Sequence, residues 1–248
     1  MHNAALRAVG LEGWRYVRLP LPPELFAETV RALPEAGFRG VNVTIPHKEA
    51  ALALADEAGE AAREIGAANT LTFAGGRILA DNTDARGFLE ALGAPPAGAQ
   101  ALVLGAGGSA RAVVWALLRA GAADVAVWNR TPERARALAA ALPGARAIEH
   151  LSEVPPLVVN CTSVGLRDDP DPFKALPLGA DSLGAESLVV DMVYRTGGTR
   201  LLEAARTRGA RVIGGLEVLV AQGAASFERW TGMAAPRQAM REAAETIA

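Results

Sequence analysis

Apolar and polar positions along this 248-residue chain fall into two kinds of segment. Short runs rich in Val, Ile and Leu, too short for a helix, alternate with longer alanine- and leucine-rich stretches, and glycine and proline mark the joins. In residues 101–118 an apolar run, Ala101-Leu102-Val103-Leu104, enters a glycine cluster, and an apolar segment of helical length follows and stops at Gly121. That pattern predicts a buried parallel strand, a tight turn and a helix. Similar strands are expected over 125–128, 146–148, 157–160, 188–191 and 211–213, with helical stretches between most of them. Alternation of this kind predicts a doubly wound sheet in two mononucleotide-binding halves.

The first third reads differently. Helices are expected over 2–9 and 23–33 and strands over 14–19 and 40–45, with Asn42 and Thr44 on one face of the second strand. The alanine-rich stretch 49–63 predicts one continuous helix. A hairpin turns at Gly75-Gly76, and Asp81-Asn82-Thr83-Asp84 ends its second strand and caps a helix running through Leu92. Residues 93–98, rich in Gly and Pro, read as a linker. A long apolar helix over 216–230 and a short one over 236–247 close the chain.

The turn after the 101–104 strand reads Gly105-Ala106-Gly107-Gly108-Ser109-Ala110, the Gly-x-Gly-x-x-Ala form of the dinucleotide fingerprint. Gly105 makes the turn, Gly107 lets the backbone approach a pyrophosphate, and Ala110 lets helix and strand pack closely. The helix opening there offers N–H groups and the positive end of its dipole. Glycine-rich turns also serve ordinary tight packing, so the second strand decides. About 20 residues past the fingerprint an NAD site places a carboxylate for the ribose 2′-hydroxyl. This chain instead offers Asn129, Arg130, Thr131 and Arg134, and guanidinium groups suit a 2′-phosphate. The reading is NADP. Asn129 and Thr131 also fit a helix cap before Glu133, and both roles can hold together.

Composition narrows the partners. Half the residues are hydrophobic and 5% aromatic, so closely packed helices are expected. A net charge of −2 gives no general attraction to nucleic acid or an anionic membrane. No apolar run reaches the length of a membrane span, and residues 1–6 lack the regions of a signal peptide. The single cysteine, Cys161, excludes an internal disulfide and reads as buried filler in a reducing, cytoplasmic setting. Three scattered histidines and one cysteine form no metal cluster in the sequence, so no metal is expected.

Polar motifs stand at several strand ends: Asn42, Thr44 and Lys48; Asn69 and Thr70; Asn82, Thr83 and Asp84. Open α/β sheets bind ligands at the carboxyl ends of their strands. A lysine and an aspartate there can work as a pair, one delivering a proton and the other orienting it or holding a hydroxyl. On spacing alone Lys48 could equally be a solvated lysine, and Asp84 an N-cap.

The motifs Asn42-Val43-Thr44-Ile45-Pro46-His47-Lys48, Gly66-Ala67-Ala68-Asn69-Thr70 and Asp81-Asn82-Thr83-Asp84 resemble those of the shikimate dehydrogenase family. The series continues through Gly105-Ala106-Gly107-Gly108, Asn129-Arg130-Thr131, Asn160-Cys161-Thr162-Ser163-Val164-Gly165, Asp191-Met192-Val193-Tyr194 and Gly215 to Gln222. The resemblance implies an α/β protein of two domains. One is a substrate-binding domain over 1–92, joined by helices 216–248, and the other an NADP-binding Rossmann domain over 93–215. It implies reversible NADP-linked reduction of 3-dehydroshikimate to shikimate by a monomer or homodimer. Lys48 and Asp84 would be catalytic, and Thr44, Asn69, Tyr194 and Gln222 would bind substrate. Gly105, Ala106, Gly107, Gly108 and Ser109 would take the pyrophosphate. Asn129, Arg130, Thr131 and Arg134 would take the adenosine phosphate end, and Thr162, Met192 and Gly215 the nicotinamide side. Tyr194 also fits a core-edge tyrosine, and Gln222 a cap or solvated helix residue.

A quinate/shikimate enzyme and a catalytically impaired NADP-binding homologue are the rival readings. Glutamyl-tRNA reductase, whose cofactor domain is similar, needs a cysteine nucleophile in its other domain, whereas Cys161 lies in the cofactor half. The family opens with an interior strand and a Ser-x-Ser-Pro turn ahead of the position matched by His2-Asn3. Loss of that strand would leave ladder groups unpaired, at about 1–3 kcal/mol for each buried one. The expectation is therefore an upstream strand in the full gene product; an intact mass of 25.7 kDa with full activity would overturn it.

Overall fold

The computed structural model describes residues 1–167, 171–195 and 197–246. The chain forms two compact units, Met1–Gly87 together with residues 220–246, and Phe88–Leu219. Among the described residues no helix is long and apolar enough to cross a membrane.

The first unit begins with α1 (His2–Ala8), α2 (Pro23–Ala32), β1 (Gly40–Asn42), α3 (Lys48–Leu54), β2 (Glu57–Ala58), α4 (Glu60–Ile65), β3 (Thr70–Ala74) and β4 (Arg77–Asp81). Its sheet has the order β1-β3-β4-β2, with β2 parallel to β4 and the other pairs antiparallel. The expected hairpin is present: Ala74 faces Arg77 across Gly75 and Gly76, both at positive φ, as a two-residue turn between twisted strands requires. Phe26, Val30, Leu71, Phe73 and Ile78 form the core beneath it.

Two expected elements are absent here. The single helix over 49–63 is two helices separated by β2. The Asp56 N–H donates to the Ile78 carbonyl (2.9 Å), its carboxylate accepts from the Ile78 N–H (2.7 Å), and the Gly59 N–H reaches the Ala80 carbonyl (2.9 Å). Pairing with β4 overrides the helix propensity of an alanine-rich stretch. The strand expected over 14–19 joins no sheet. Its backbone is held instead at Tyr16, whose carbonyl accepts from Asn3 Nδ2 (2.9 Å) and whose N–H donates to Asn3 Oδ1 (2.8 Å). A cavity of about 510 Å³, lined by Val17, Leu19, Phe26 and Val43 among others, adjoins this segment and β1. Among the described residues β1 has no sheet neighbour on the edge away from β3.

A third expected strand is shortened: β1 ends at Asn42. Val43 still donates to the Asn69 carbonyl (2.7 Å), and Thr44 enters a turn closed by the His47 N–H (2.9 Å), with a cis peptide before Pro46.

Helix α5 (Thr83–Leu92) leads into the second unit. There β5 (Gln100–Leu104), α6 (Gly108–Arg119), β6 (Asp124–Trp128), α7 (Pro132–Ala141), β7 (Ala145–Ile148), β8 (Leu157–Asn160), β9 (Leu188–Asp191), α8 (Arg200–Thr207) and β10 (Arg211–Ile213) alternate as the apolar runs predict. All six strands are parallel, in the order β10-β9-β8-β5-β6-β7, the doubly wound order that changes direction at β5. Leu102, Leu104, Val158, Val189, Leu201 and Leu202 are fully or almost fully buried in its core. Helices α9 (Gly215–Thr231) and α10 (Arg237–Thr246) end the chain, close to their expected bounds.

His2 is buried in the first unit, its ring stacked on Tyr16 at 4.3 Å and tilted against Trp230 at 5.5 Å. Burial pushes its pKa from 6.5 down to about 4. The folded protein therefore holds His2 neutral, and the unfolded chain binds the extra proton. This contribution is intact above pH 6.5 and is lost as pH falls towards about 4. A His2→Gln variant is expected to show a shallower fall of the urea midpoint across that window than the wild type; equal slopes would contradict the assignment.

Candidate active site

In the first unit the site is assembled at the starts of two helices. Lys48 opens α3, and the residue before it is anchored. The His47 ring lies flat on Phe26 at 4.5 Å, with Nε2 2.9 Å from the Leu21 carbonyl. The Lys48 carbonyl accepts from the Ala68 N–H (2.8 Å), which ties this helix start to the segment leading into β3. Lys48 Nζ lies 2.6 Å from Asp84 Oδ2, and both side chains are at most 10% exposed. Sequence spacing left both roles open; the geometry brings the two groups together.

Asp84 is not the cap of α5. Asn82 fills that role, its Oδ1 accepting from the Asp84 N–H (3.1 Å) and the Ala85 N–H (3.4 Å) while Nδ2 holds the Ala67 carbonyl (2.9 Å). The Asp84 carboxylate is thereby left for the cation, in the first turn of a helix, where the dipole favours negative charge. Its other oxygen accepts from Asn69 Nδ2 (2.8 Å). Asn69 also lies 3.3 Å from Gln222 Oε1, on α9. Helices α5 and α9 touch at Gly87, where a Cβ would sit 2.8 Å from the Gln222 backbone nitrogen. Gly87, which the sequence reading passes over, is the position that lets Gln222 stand over Asn69. Thr44 is exposed in its turn.

In the second unit the glycine turn has the form a dinucleotide needs. Gly105 lies at φ +108°, and a Cβ there would sit 2.9 Å from the Cys161 carbonyl oxygen, so only glycine fits. A Cβ at Gly107 would meet nothing within 4 Å, leaving open space in front of α6. Ala106, Gly108 and Ser109 are partly exposed around it. The first backbone bond of that helix runs from Arg111 to Gly107 (3.0 Å), and the opening N–H groups of a helix lie ahead of such a bond.

After β6, Asn129 Nδ2 donates to the Thr131 carbonyl (2.9 Å), shaping the turn. Thr131 stands at the N-cap of α7 without a side-chain cap bond, so the capping role expected of it is absent. Arg130, Thr131 and Arg134 are exposed. The donor set, two guanidinium groups and a hydroxyl, fits a phosphorylated ribose, although Glu133 stands beside Arg134 in the first turn of α7.

Thr162, Met192 and Gly215 follow the carboxyl ends of β8, β9 and β10, as the doubly wound pattern requires of ligand-facing positions. The Thr162 hydroxyl is engaged in its own turn, donating to Asn160 Oδ1 (2.7 Å) and accepting from the Val164 N–H (3.0 Å). A Cβ at Gly215 would fall 2.5 Å from the Val193 carbonyl oxygen, so the start of α9 crosses the β9 loop at backbone contact. Tyr194, in that loop, is half-buried. Asp191 carries no role in the sequence reading, yet it fastens both loops. It accepts from Asn160 Nδ2 (2.9 Å), the Val193 N–H (3.0 Å) and the Thr199 hydroxyl (2.5 Å). Burial pushes its pKa up, against these three donors. Among the described residues no group of three or more His, Cys, Asp or Glu could hold a metal ion.

The family model described as the shikimate dehydrogenase substrate binding domain matches residues 1–71. The shikimate / quinate 5-dehydrogenase model matches 91–163, and the shikimate 5'-dehydrogenase C-terminal domain matches 215–245. A shikimate dehydrogenase (NADP(+)) of Thermus thermophilus is 48% identical over 248 residues, covering 98% of this chain and 91% of the relative. The structure of a Thermus thermophilus shikimate 5-dehydrogenase in complex with NADP(H) and shikimate superposes with a TM-score of 0.88 at 44% identity, covering 99% of this chain and 92% of that one. A ligand-free 5-ketofructose reductase of a Gluconobacter strain superposes with a TM-score of 0.86 at 32% identity, covering 99% of this chain and 92% of that one. With three matches in chain order and this identity over nearly its whole length, the chain belongs to the shikimate dehydrogenase family.

Proposed function

We propose that the chain catalyses the reversible NADP-dependent reduction of 3-dehydroshikimate to shikimate in the cytoplasm. Residues 1–92 with helices 216–248 would serve as substrate domain and residues 93–215 as cofactor domain. The observation that carries the reading is the buried Lys48–Asp84 contact at 2.6 Å. A buried ion pair adds little net stability, because desolvation offsets most of the attraction. Such a pair is better accounted for by proton transfer.

NADPH, when bound, supplies the hydride. Lys48 gives a proton to the substrate carbonyl oxygen as negative charge develops on it, and takes it back in the oxidative direction. Asp84 holds the ammonium in place with Oδ2 and is close enough to accept a hydrogen bond from a substrate hydroxyl. Asn69 and Gln222 present amides to the same place, and Thr44 and Tyr194 complete the substrate contacts in this reading. Gly105, Ala106, Gly107, Gly108 and Ser109 would hold the pyrophosphate, and Asn129, Arg130, Thr131 and Arg134 the 2′-phosphate. Thr162, Met192 and Gly215 would face the nicotinamide.

A second reading, a sibling enzyme for another polyol or cyclic hydroxy acid, draws on the structural match to the 5-ketofructose reductase. Initial rates with shikimate against quinate and 5-ketofructose separate the two.

General acid–base catalysis is worth about 10²–10⁴-fold, so Lys48→Ala is expected to lower kcat by that order with NADPH affinity unchanged. A loss under about threefold would remove Lys48 from the proton transfer. Arg130→Ala is expected to weaken NADPH binding and to leave NADH binding nearly unchanged, as measured by fluorescence titration; equal losses would reject the 2′-phosphate assignment.

A further inference from the structure

Behind Asn69 lie three hydroxyls within hydrogen-bond reach of one another. Ser226 Oγ is 2.9 Å from Thr70 Oγ1 and 3.2 Å from Thr83 Oγ1, and the two threonine oxygens are 3.2 Å apart. Ser226 and Thr70 are 0% exposed and Thr83 3%. A hydroxyl carries one proton, so groups at the ends of such a cluster set its direction. At one end the Tyr16 hydroxyl donates to Asn42 Oδ1 (3.1 Å), which turns Asn42 Nδ2 towards Ser226 Oγ (2.8 Å). At the other, Ser226 donates its own proton to the Gln222 carbonyl one turn earlier in α9 (3.1 Å). Ser226 is therefore an acceptor within the cluster, from Asn42 and from one threonine.

The consequence falls on Asn69. Its Oδ1 meets the Thr83 N–H (2.7 Å) and the Thr70 hydroxyl (3.1 Å), which are donors. Assigning the Thr70 proton to Asn69 Oδ1 and the Thr83 proton to Ser226 leaves the Thr83 oxygen facing Asn69 Nδ2 (3.0 Å) as an acceptor, beside Asp84 Oδ1 and Gln222 Oε1. One orientation of the amide sets its two N–H donors against acceptors and its oxygen against donors. The flipped one sets a carbonyl against the Asp84 carboxylate and an NH₂ against two donors. We infer that Ser226 is a positioning residue for the reaction: it sets the polarity of the Thr70–Thr83 cluster, which locks the Asn69 amide onto Asp84.

Without the Ser226 oxygen, the Thr83 proton turns to Asn69 Oδ1, 3.2 Å away, and Asn42 loses the shortest of its contacts, keeping the Thr70 hydroxyl (3.3 Å) and the Asn69 carbonyl (3.4 Å). Asn69 then holds Asp84 less firmly, and the carboxylate is less well fixed for the substrate. The inference rests on the reading that Lys48 and Asp84 act on shikimate. Its test is the steady-state kinetics of shikimate oxidation by the wild-type chain, Ser226→Ala and Thr70→Val, the last replacing a hydroxyl by a methyl of similar shape.

Loss of one such hydrogen bond corresponds to about three- to tenfold, so both variants are expected to lose that much in kcat/KM for shikimate. The shikimate KM should rise, and the NADP KM should stay unchanged. Ser226→Cys, with a weak acceptor of similar size, should fall between wild type and Ser226→Ala. If Ser226→Ala does not fold, Thr70→Val carries the same test. An active wild type whose folded variants keep its kcat/KM and shikimate KM overturns the inference and leaves the proposed function standing. A wild type that binds NADP without turning over shikimate overturns both.

Discussion

A buried carboxylate divided between a cation and an amide governs the first unit. Asp84 gives Oδ2 to Lys48 at 2.6 Å and Oδ1 to Asn69 at 2.8 Å, with little water available to either. Out of water, a charge left without its partner costs several kcal/mol. Every element that delivers one of these groups is therefore held by a further bond. Helix α3 is tied to the chain before β3 through the Lys48 carbonyl, α5 is capped by Asn82, and Asn69 is braced by Thr83 and Thr70.

The C-terminal helix takes part in the same constraint. A side chain at Gly87 would press α5 off α9, and a Cβ at Gly40 would fall 2.2 Å from the Trp230 indole nitrogen. The indole instead donates to the Leu71 carbonyl at 3.0 Å. Two glycines and one indole thus seat α9 so that Gln222 and Ser226, one turn apart, reach the ends of β1 and β3. The second unit meets a different demand with similar means. Gly105 and Gly215 allow backbone contact at loop crossings, and Asp191 ties the loops after β8 and β9.

Legibility in the sequence followed the range of the forces involved. The six strands of the parallel sheet could be read because each is a short apolar run buried on both faces, and the pattern is local. The glycine fingerprint could be read because a turn's φ requirements are local too. The break at β2 could not, because the bonds from Asp56 and Gly59 go to β4, some twenty residues away in sequence. The strand expected over 14–19 has β-branched and aromatic character but no ladder partner, and propensity alone does not make a strand. Lys48 and Asp84 stood out as residue types at strand ends, whereas their pairing depends on which residue caps α5. That Asn82 rather than Thr83 or Asp84 does so is settled by Ala67, a residue with no functional group beyond its carbonyl. Ser226 was invisible because its role comes from hydroxyls on three separate elements.

The central claim is that Lys48 and Asp84 act as one unit. A double-mutant cycle on shikimate turnover, with Lys48→Met, Asp84→Asn and the double variant, tests it most directly. Residues that work as a unit are strongly non-additive, so the double variant should be about as impaired as the worse single one. Independent losses that multiply in the double variant would contradict the account.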